Sequence, residues 1–495
     1  MSRRSSTLVA AAVVGALVLP AGAAPAPAGP APSRYGTAKG FQLLGHTTLG
    51  NRGVNSPVAV AGRCVYVGDR YDRGGIAIVD AVNPRRPTVI GSIPPGSGVT
   101  QRELRADAGL GLLVVMNYTL STGSPGNNVK IYDIRNCAKP TLLSTYDMGA
   151  RSPHEFFLWK DPKRPGRALV YLANTLFAPD LEVVDITDPR APKLVAAYDI
   201  GADIAKSPAA VPSSGSGYLH SISVSDDGRR AYMSTWDYGV YVADTSSLAD
   251  ALPVGVVTPL GLPAAYEGNV HGAVKVPGKP YAVLVEEAYA NAGKGCPFGW
   301  LRMADVSDEA APKLLPGEFK LRENDCATAQ QLNGTFTSHN QTVFPNVALV
   351  PWYAGGLRAV DISHPAAPVE TGAFVPKPTF EPDRRDTRLF FPRSQTDAWT
   401  GAMWSYPVVQ NGLIYVVDID LGLYILRYTG KHAAEVSRAA FVEGNSSPSR
   451  YSAAQPPIKR PPFAAGPPTV VRSPFASRPV PARAMSAYGF FCVGV

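Results

Sequence analysis

One short unit recurs along this chain: a run of β-branched or other apolar residues ends at an aspartate, and prolines follow soon after it. In residues 182–201, Val183 and Val184 precede Asp185 and Pro189, and a second apolar run then leads to a glycine. β-Branched residues favour strands, aspartate favours tight turns, and proline excludes both helix and central-strand pairing. The unit therefore predicts a β-hairpin whose turn contains aspartate and proline.

Approximate copies of this unit are spread through the chain and predict its architecture. Their apolar runs lie at residues 76–80, 129–133, 240–244, 301–305, 357–361 and, in truncated form, 423–427. Together with the first run they define seven units of about 45–70 residues, each patterned with the period of two that is typical of strands. Four strands in each unit and almost no helical periodicity predict an all-β fold. We expect a seven-bladed β-propeller of four-stranded blades over residues 41–430.

The two ends of this region are complementary. The seventh unit lacks an outer strand, whereas residues 41–49 read as an outer strand with no unit before them. We therefore expect the N-terminal strand to complete and close the last blade, which removes an exposed sheet edge.

Targeting features are concentrated at the N-terminus. Arg3 and Arg4 precede an apolar segment at residues 8–19 and small residues at 21–23, as in a secretory signal peptide cleaved near Ala23. The arginine pair leaves general secretion and twin-arginine export both open. Residues 24–40 form an Ala/Pro-rich linker, and no other run approaches the length of a membrane span. The sequence thus predicts a protein that does not span the membrane and is secreted or associated with the cell envelope.

Residues 431–495 contain ten prolines and no periodic pattern. We interpret them as a mostly disordered basic tail. Of the net charge of +8, residues 1–40 carry +4 and the tail carries +6, which leaves about −2 on residues 41–430. Because the folded body is not basic, nucleic acid is not an expected partner. The tail either contacts anionic envelope material or is simply solvated.

The repeated apolar–aspartate–proline unit resembles the LVIVD-repeat family of secreted or envelope-associated bacterial β-propellers. The resemblance covers residues 41–430 and implies the propeller fold. It implies little about activity, because that family is defined by its repeat and a function must be argued from a site.

Five cysteines fit an exported protein with few disulfides. Cys296 and Cys326 lie in long insertions of neighbouring units, and we predict that they form a disulfide. Cys64 and Cys137 fall on the same face of adjacent blades, so a second bridge is an open alternative, and Cys492 would remain unpaired.

Four of the seven histidines share one register in the repeat, at the start of the inner strand of consecutive units. They are His154, His220, His271 and His339. Inner strands line the channel of a propeller, so we expect these imidazoles at one level near its axis. The corresponding positions in the other units are approximately Asn55, Gln101 or Arg102, and Trp404.

Converging imidazoles could bind a transition metal such as Fe, Cu or Zn and leave positions open for substrate. Glu155 and Glu267 are candidates to hydrogen-bond the metal-bound rings, and Glu286, Glu287 and Asp237, in loops expected on the same face, could serve in the same way. A structural role is the alternative, because repeated histidines can also arise by duplication and stiffen the ring through bonds to neighbouring carbonyl groups.

Aromatic and acidic residues cluster in the loops between second and third strands, and such mixtures suit small molecules, glycans or protein partners. The candidate ligand-binding residues are Trp236, Asp237, Tyr238, Glu286, Glu287, Trp352 and Tyr353. The first hypothesis is therefore an exported propeller that binds a ligand or protein on its loop face without catalysis. The second is a metal-dependent oxidoreductase or hydrolase with its histidine-ligated metal in the channel.

Overall fold

The computed structural model of the chain describes residues 36–70, 74–96, 98–119, 126–175, 179–200, 218–246, 255–260, 269–288, 299–309, 312–324, 334–385, 401–445, 463 and 466–477. These residues form seven sheets, one for each blade: six contain four antiparallel strands that follow one another in the chain, and the seventh combines three such strands with a strand from residues 41–47. The predicted seven-bladed β-propeller is confirmed.

Two strands precede the first blade: β1 (Thr37–Lys39) and β2 (Phe41–Thr47). Blade 1 contains β3 (Asn55–Ala61), β4 (Cys64–Asp69), β5 (Ile76–Asp80) and β6 (Thr88–Ile93). Blade 2 contains β7 (Val99–Asp107), β8 (Leu112–Thr119), β9 (Asn127–Asp133) and β10 (Thr141–Gly149). Blade 3 contains β11 (Pro153–Lys160), β12 (Ala168–Asn174), β13 (Leu181–Asp185) and β14 (Lys193–Tyr198).

The remaining blades repeat this order of strands. Blade 4 contains β15 (Ser221–Val224), β16 (Arg230–Ser234), β17 (Val240–Asp244) and β18 (Gly255–Leu260). Blade 5 contains β19 (Val270–Lys275), β20 (Tyr281–Glu286), β21 (Leu301–Asp305) and β22 (Lys313–Phe319). Blade 6 contains β23 (Thr342–Val343), β24 (Val347–Pro351), β25 (Leu357–Asp361) and β26 (Val369–Val375). Blade 7 contains β27 (Val408–Gln410), β28 (Leu413–Asp418) and β29 (Gly422–Tyr428).

The aspartate of the repeat has the same structural role in six blades. In each, its Oδ1 accepts a hydrogen bond from the backbone N–H two residues later, at 2.7–2.9 Å. This bond closes an Asx-type turn where the third strand ends. A register shift in each outer hairpin, as between Val183 and Val184, adds the local twist expected of a β-bulge.

The core lies between the blades rather than inside any one of them. Leu169 and Val183 of blade 3, for example, pack in one cluster with Ile222 and Tyr241 of blade 4. Each blade therefore buries both of its faces, which accounts for the nearly continuous apolar third strands. This packing holds the inner strands in place around the channel.

The N-terminal strand closes the last blade, as predicted. Strand β2 pairs antiparallel with β29, with Phe41 opposite Tyr428. The rings of these two residues lie 5.1 Å apart, and both side chains are buried. Strand β1, which directly precedes β2, pairs antiparallel with β26 and so adds a fifth strand to blade 6.

Two segments from the region for which the sequence favours disorder contact the propeller. A short helix, α1 (Ala433–Ser437), leads to β30 (Phe441–Val442), which pairs with the inner strand β27 of blade 7. Strand β31 (Thr469–Arg472) pairs parallel with the outer strand β10 of blade 2. These contacts use sheet edges, which local periodicity in the tail does not reveal.

Cys64 and Cys137 form a disulfide between blades 1 and 2. This is the pairing that the sequence left open. Cys296, Cys326 and Cys492, together with Glu267, lie outside the described residues. Among the helices that are described, none is long and apolar enough to cross a membrane.

Candidate metal centre

The four histidines of the shared register meet at the centre of the propeller. His154 lies in β11 and His271 in β19, while His220 and His339 precede the inner strands of blades 4 and 6. Neighbouring rings in the order 154, 220, 271, 339 have centroids 4.0, 4.3 and 3.9 Å apart. All four side chains are buried. The repeat therefore brings residues that are far apart in sequence into one continuous arc of imidazoles.

The other three blades complete this arc with different side chains. Trp404 of blade 7 lies 4.7 Å from the His339 ring, and the Arg70 guanidinium lies over the Trp404 ring at 4.6 Å. At the other end, Arg102 Nη2 of blade 2 lies 3.2 Å from His154 Nε2. Each of the seven blades thus contributes one side chain.

Trp404 and Arg102 occupy positions that the register of the repeat matches to the histidines. In blade 1, Arg70 takes this place in the arc. Asn55, the predicted equivalent, instead donates to the carbonyl oxygen of Ile419 at 3.0 Å. Arg70 directly follows the second strand of its blade, so the loop after that strand also reaches the channel.

Burial keeps the imidazoles neutral. It lowers the pKa of His271 to about 3, with the charge of Arg102 acting in the same direction. Burial also holds the pKa values of His154, His220 and His339 well below the ordinary value, and nearby positive groups again act in the same direction. Neutral imidazole is the form that binds a metal ion.

Two buried carboxylates lie beside the central histidines. His271 Nε2 is 3.5 Å from both Glu155 Oε1 and Glu287 Oε2, and His339 Nε2 is 3.5 Å from Glu287 Oε1. These separations are long for hydrogen bonds. They are close to the roughly 3.4 Å between two donors of a tetrahedral ion whose bonds are about 2.1 Å long.

Polar neighbours hold both carboxylates in place. Asn340 Nδ2 donates to Glu155 Oε1 at 2.7 Å, and Asn445 Nδ2 donates to Glu155 Oε2 at 2.8 Å. The Tyr353 hydroxyl donates to Glu287. Burial, with Glu103 acting in the same direction, raises the pKa of Glu155 to about 8. A nearby cation would favour its ionised form.

The imidazoles retain unused hydrogen-bonding capacity. Within the described part of the chain, the Nδ1 atoms of all four histidines are buried without a hydrogen-bond partner. Buried polar atoms are normally paired, so four unpaired nitrogens in one place are typical of a site that binds a ligand, ion or water.

Two groups of three described side chains could hold an ion, with donor atoms mutually within 4.8 Å. One group is Glu155, His271 and His339, and the other is His220, His271 and Glu287. His271 belongs to both groups, which places it at the middle of the site.

The predicted loop-face residues are buried or half-buried, and several of them surround the histidines. The Trp236 ring stacks on His220 at 4.5 Å, and Tyr353 contacts His339 at 5.7 Å. Both residues have positive φ, 56° and 43°, a strained conformation for aromatic side chains. These two rings therefore form part of the wall of the histidine site.

The remaining loop-face residues have other surroundings. Trp352 is fully buried and donates from its indole to the carbonyl of Phe336 at 2.9 Å. Glu286 is buried 3.4 Å from Arg302 Nη1, and burial raises its pKa well above the ordinary value. Asp237 is buried and Tyr238 is half-buried.

The chain that follows the last blade also reaches the centre. After β30, Glu443 accepts a hydrogen bond from the backbone N–H of Ala106 at 3.0 Å, and Asn445 contacts both Glu155 and Ser221. Asn445 is buried and has a positive φ of 53°. Sequence reasoning missed this contact because nothing local in residues 441–445 points to the channel.

Comparison with known families identifies the repeat itself. The family model described as the LVIVD repeat matches residues 52–94, 175–200 and 348–375. Three segments of the chain are thus similar to the LVIVD repeat. The matched segments correspond to blade 1, to the outer hairpin of blade 3 and to the last three strands of blade 6. They contain Arg70 and Tyr353 but none of the four central histidines.

Other comparisons add little to the LVIVD match. No curated protein matches the chain. One similar solved structure is described as "Crystal Structure of Mitotic Checkpoint Complex", with 9% identity and a TM-score of 0.44 over 78% of this chain and 92% of that one. A similarity at that level supports no argument about this protein.

Proposed function

We propose that the protein binds a transition-metal ion at the centre of the propeller and acts there as a metal-dependent oxidoreductase or hydrolase. The observation that carries this proposal is the arc of four buried, mutually contacting imidazoles, with carboxylate oxygens 3.5 Å from the Nε2 atoms of His271 and His339. A purely structural role has less support, since histidines that stiffen a ring would donate to neighbouring carbonyl groups, and the Nδ1 atoms of these four have no such partner among the described residues.

His220, His271 and His339 are the proposed metal-binding residues, with Glu155 and Glu287 beside them. The Nε2 atoms of His271 and His339 lie 3.5 Å from carboxylate oxygens of Glu155 and Glu287, separations that suit donors sharing an ion. Such a mixed set fits Fe, Cu or Zn, because imidazole is a borderline ligand and carboxylate a harder one.

A bound ion would supply Lewis-acid or redox chemistry in a site sheltered from bulk water. The chain itself would orient the ligands: Asn340 and Asn445 hold Glu155, and Tyr353 holds Glu287. Trp236 and Tyr353 would limit the size of a substrate, because their rings border the histidines.

Export of the protein remains part of the proposal. The charged and apolar N-terminus supports it, and the Cys64–Cys137 disulfide is consistent with it, since such bridges persist mainly in oxidising compartments. Mass determination of the mature protein, isolated outside the cytoplasm, would test for cleavage near Ala23.

Metal analysis of the full-length protein tests the proposed centre. We expect about one tightly bound transition-metal ion per chain. His271→Leu should lower this content at least tenfold, because His271 is shared by both possible donor groups. His46→Ala is the matched control: His46 bonds to the carbonyl of Leu421 in the outer part of blade 7 and should not affect the metal.

Two results would contradict the proposal. One is wild-type protein that takes up no stoichiometric Fe, Cu, Zn or Co after metal removal and reconstitution. The other is a His271→Leu variant that folds normally and retains the full metal content.

A further inference from the structure

His154 differs from the other three central histidines in its surroundings. Among the described residues it belongs to neither of the groups whose donor atoms could share an ion. It lies at the end of the arc, with the His220 ring on one side and Arg102 on the other. Its role must therefore be argued separately from that of a metal-binding residue.

The contact with Arg102 determines the tautomer of His154. A guanidinium group has only donors, so at 3.2 Å the Nε2 of His154 must be the acceptor. A neutral imidazole that accepts at Nε2 carries its proton on Nδ1. This leaves neither nitrogen available to a metal: one lone pair is engaged by Arg102, and the other nitrogen is protonated.

The Nδ1–H of His154 is consequently a buried donor that needs an acceptor. Only 6% of the His154 side chain is exposed, and its Nδ1 has no hydrogen-bond partner in the described ranges. Leaving such a donor unpaired costs about 1–3 kcal/mol in a folded protein. A ligand with an acceptor atom would relieve this cost.

The charges at the two ends of the arc indicate the kind of acceptor. Arg102 borders His154, and Arg70 borders Trp404 at the other end. Guanidinium groups and a bound metal ion are both positive, so an anion beside His154 is favoured over a neutral or cationic ligand, because charge-assisted hydrogen bonds are the stronger ones.

We propose that His154 recognises a small anionic ligand, a carboxylate or another oxyanion, that binds beside the metal ion. Its Nδ1–H donates to the ligand, and Arg102 is a positioning residue that holds His154 in this tautomer. This inference rests on the proposed metal centre and names the substrate class of that centre. It also divides the histidines by role, with three that bind metal and one that binds substrate.

The test uses full-length protein reconstituted with Co²⁺, with azide as the anionic probe and visible absorption as the measurement. We expect His154→Leu to retain one cobalt per chain and to bind azide at least tenfold more weakly than wild type. His271→Leu, in contrast, should lose the cobalt.

Two further variants separate the role of His154 in binding the anion from any effect on folding. His154→Asn places an amide N–H close to the position of the imidazole Nδ1, so it should restore azide affinity to within about threefold of wild type. Arg102→Leu should retain cobalt and weaken azide binding, because His154 is then free to adopt the other tautomer.

The results that would overturn the inference differ from those that would remove the metal centre. If His154→Leu or His154→Asn loses cobalt as His271→Leu does, His154 is a metal ligand and the inference is wrong while the metal centre stands. Unchanged azide affinity in His154→Leu would also contradict it. Failure of wild-type protein to bind cobalt would remove both proposals.

Discussion

The outer hairpins of this propeller repeat one local structure, whereas the side chains of the central arc differ between blades. In six blades the third strand ends at an aspartate that closes the same turn with nearly the same bond length. At the channel the seven blades present four histidines, two arginines and one tryptophan. Repetition thus stabilises the ring, and departures from repetition create a site. Changes in the outer strands should therefore reduce stability, whereas changes at the centre should reduce binding.

The largest effect on stability is expected in blade 7, whose outer strand is β2 from the N-terminal end of the propeller. Deletion of residues 41–47 removes the strand paired with β29 and leaves the last blade open. The protein should lose its cooperative thermal transition, because each blade is buried only by its neighbours. Leu43→Ala is the control: Leu43 is 46% exposed in the same strand and should shift the unfolding free energy by less than about 0.5 kcal/mol. A deletion variant with unchanged melting would show that β2 is dispensable.

The next largest effect should come from Glu443, a half-buried carboxyl in the segment after blade 7, and should depend on pH. Burial raises the pKa of Glu443 to about 8, partly offset by Arg105 and Lys160, from an ordinary value of 4.5. Between these two values the folded state holds a proton that the unfolded state has released. Stability therefore falls as the pH rises through this window.

Glu443→Gln removes this titration while keeping an oxygen that can accept from Ala106. Relative to wild type, the variant should gain up to about 3.5 kcal/mol of unfolding free energy between pH 5 and pH 8. Urea unfolding at both pH values measures the difference. Glu381→Gln changes an exposed carboxylate as the control. An equal difference at both pH values would show that Glu443 does not titrate in this range.

A smaller effect is expected at the repeated turn itself. The Oδ1 of Asp185 accepts from the N–H of Thr187 at 2.7 Å on an exposed part of blade 3. Asp185→Ala removes this acceptor and should lower the unfolding free energy by about 1 kcal/mol. Asp185→Asn retains an acceptor oxygen and should remain within about 0.3 kcal/mol of wild type. Equal losses in both variants would indicate that the charge matters rather than the turn.

The same contrast explains what could be predicted from the sequence. The fold and the register of the four histidines follow from the repeat, because identical local chemistry produces identical hairpins. Arg70 could not be predicted, since it lies in a loop that does not repeat. Glu287 is both a predicted loop-face residue and a predicted partner of the imidazoles, and it lies 3.5 Å from His271 and His339. Asn445 reaches Glu155 only through the path of the chain after blade 7, which no local pattern encodes.

The smallest effect on stability is expected at the centre of the arc, where the effect on binding should be largest. His271 is buried with an unpaired Nδ1, so in metal-free protein His271→Leu removes a desolvated polar group and replaces it with a side chain of similar size. We expect the unfolding free energy to change by less than about 1 kcal/mol. Metal at a hundred times its dissociation constant should stabilise the wild type by about 2.7 kcal/mol and leave the variant unchanged. Thermal melting with and without excess metal measures both quantities. A large loss of unfolding free energy in the metal-free variant would mean that the central histidines stabilise the ring as the outer hairpins do. The two regions would then no longer differ in role.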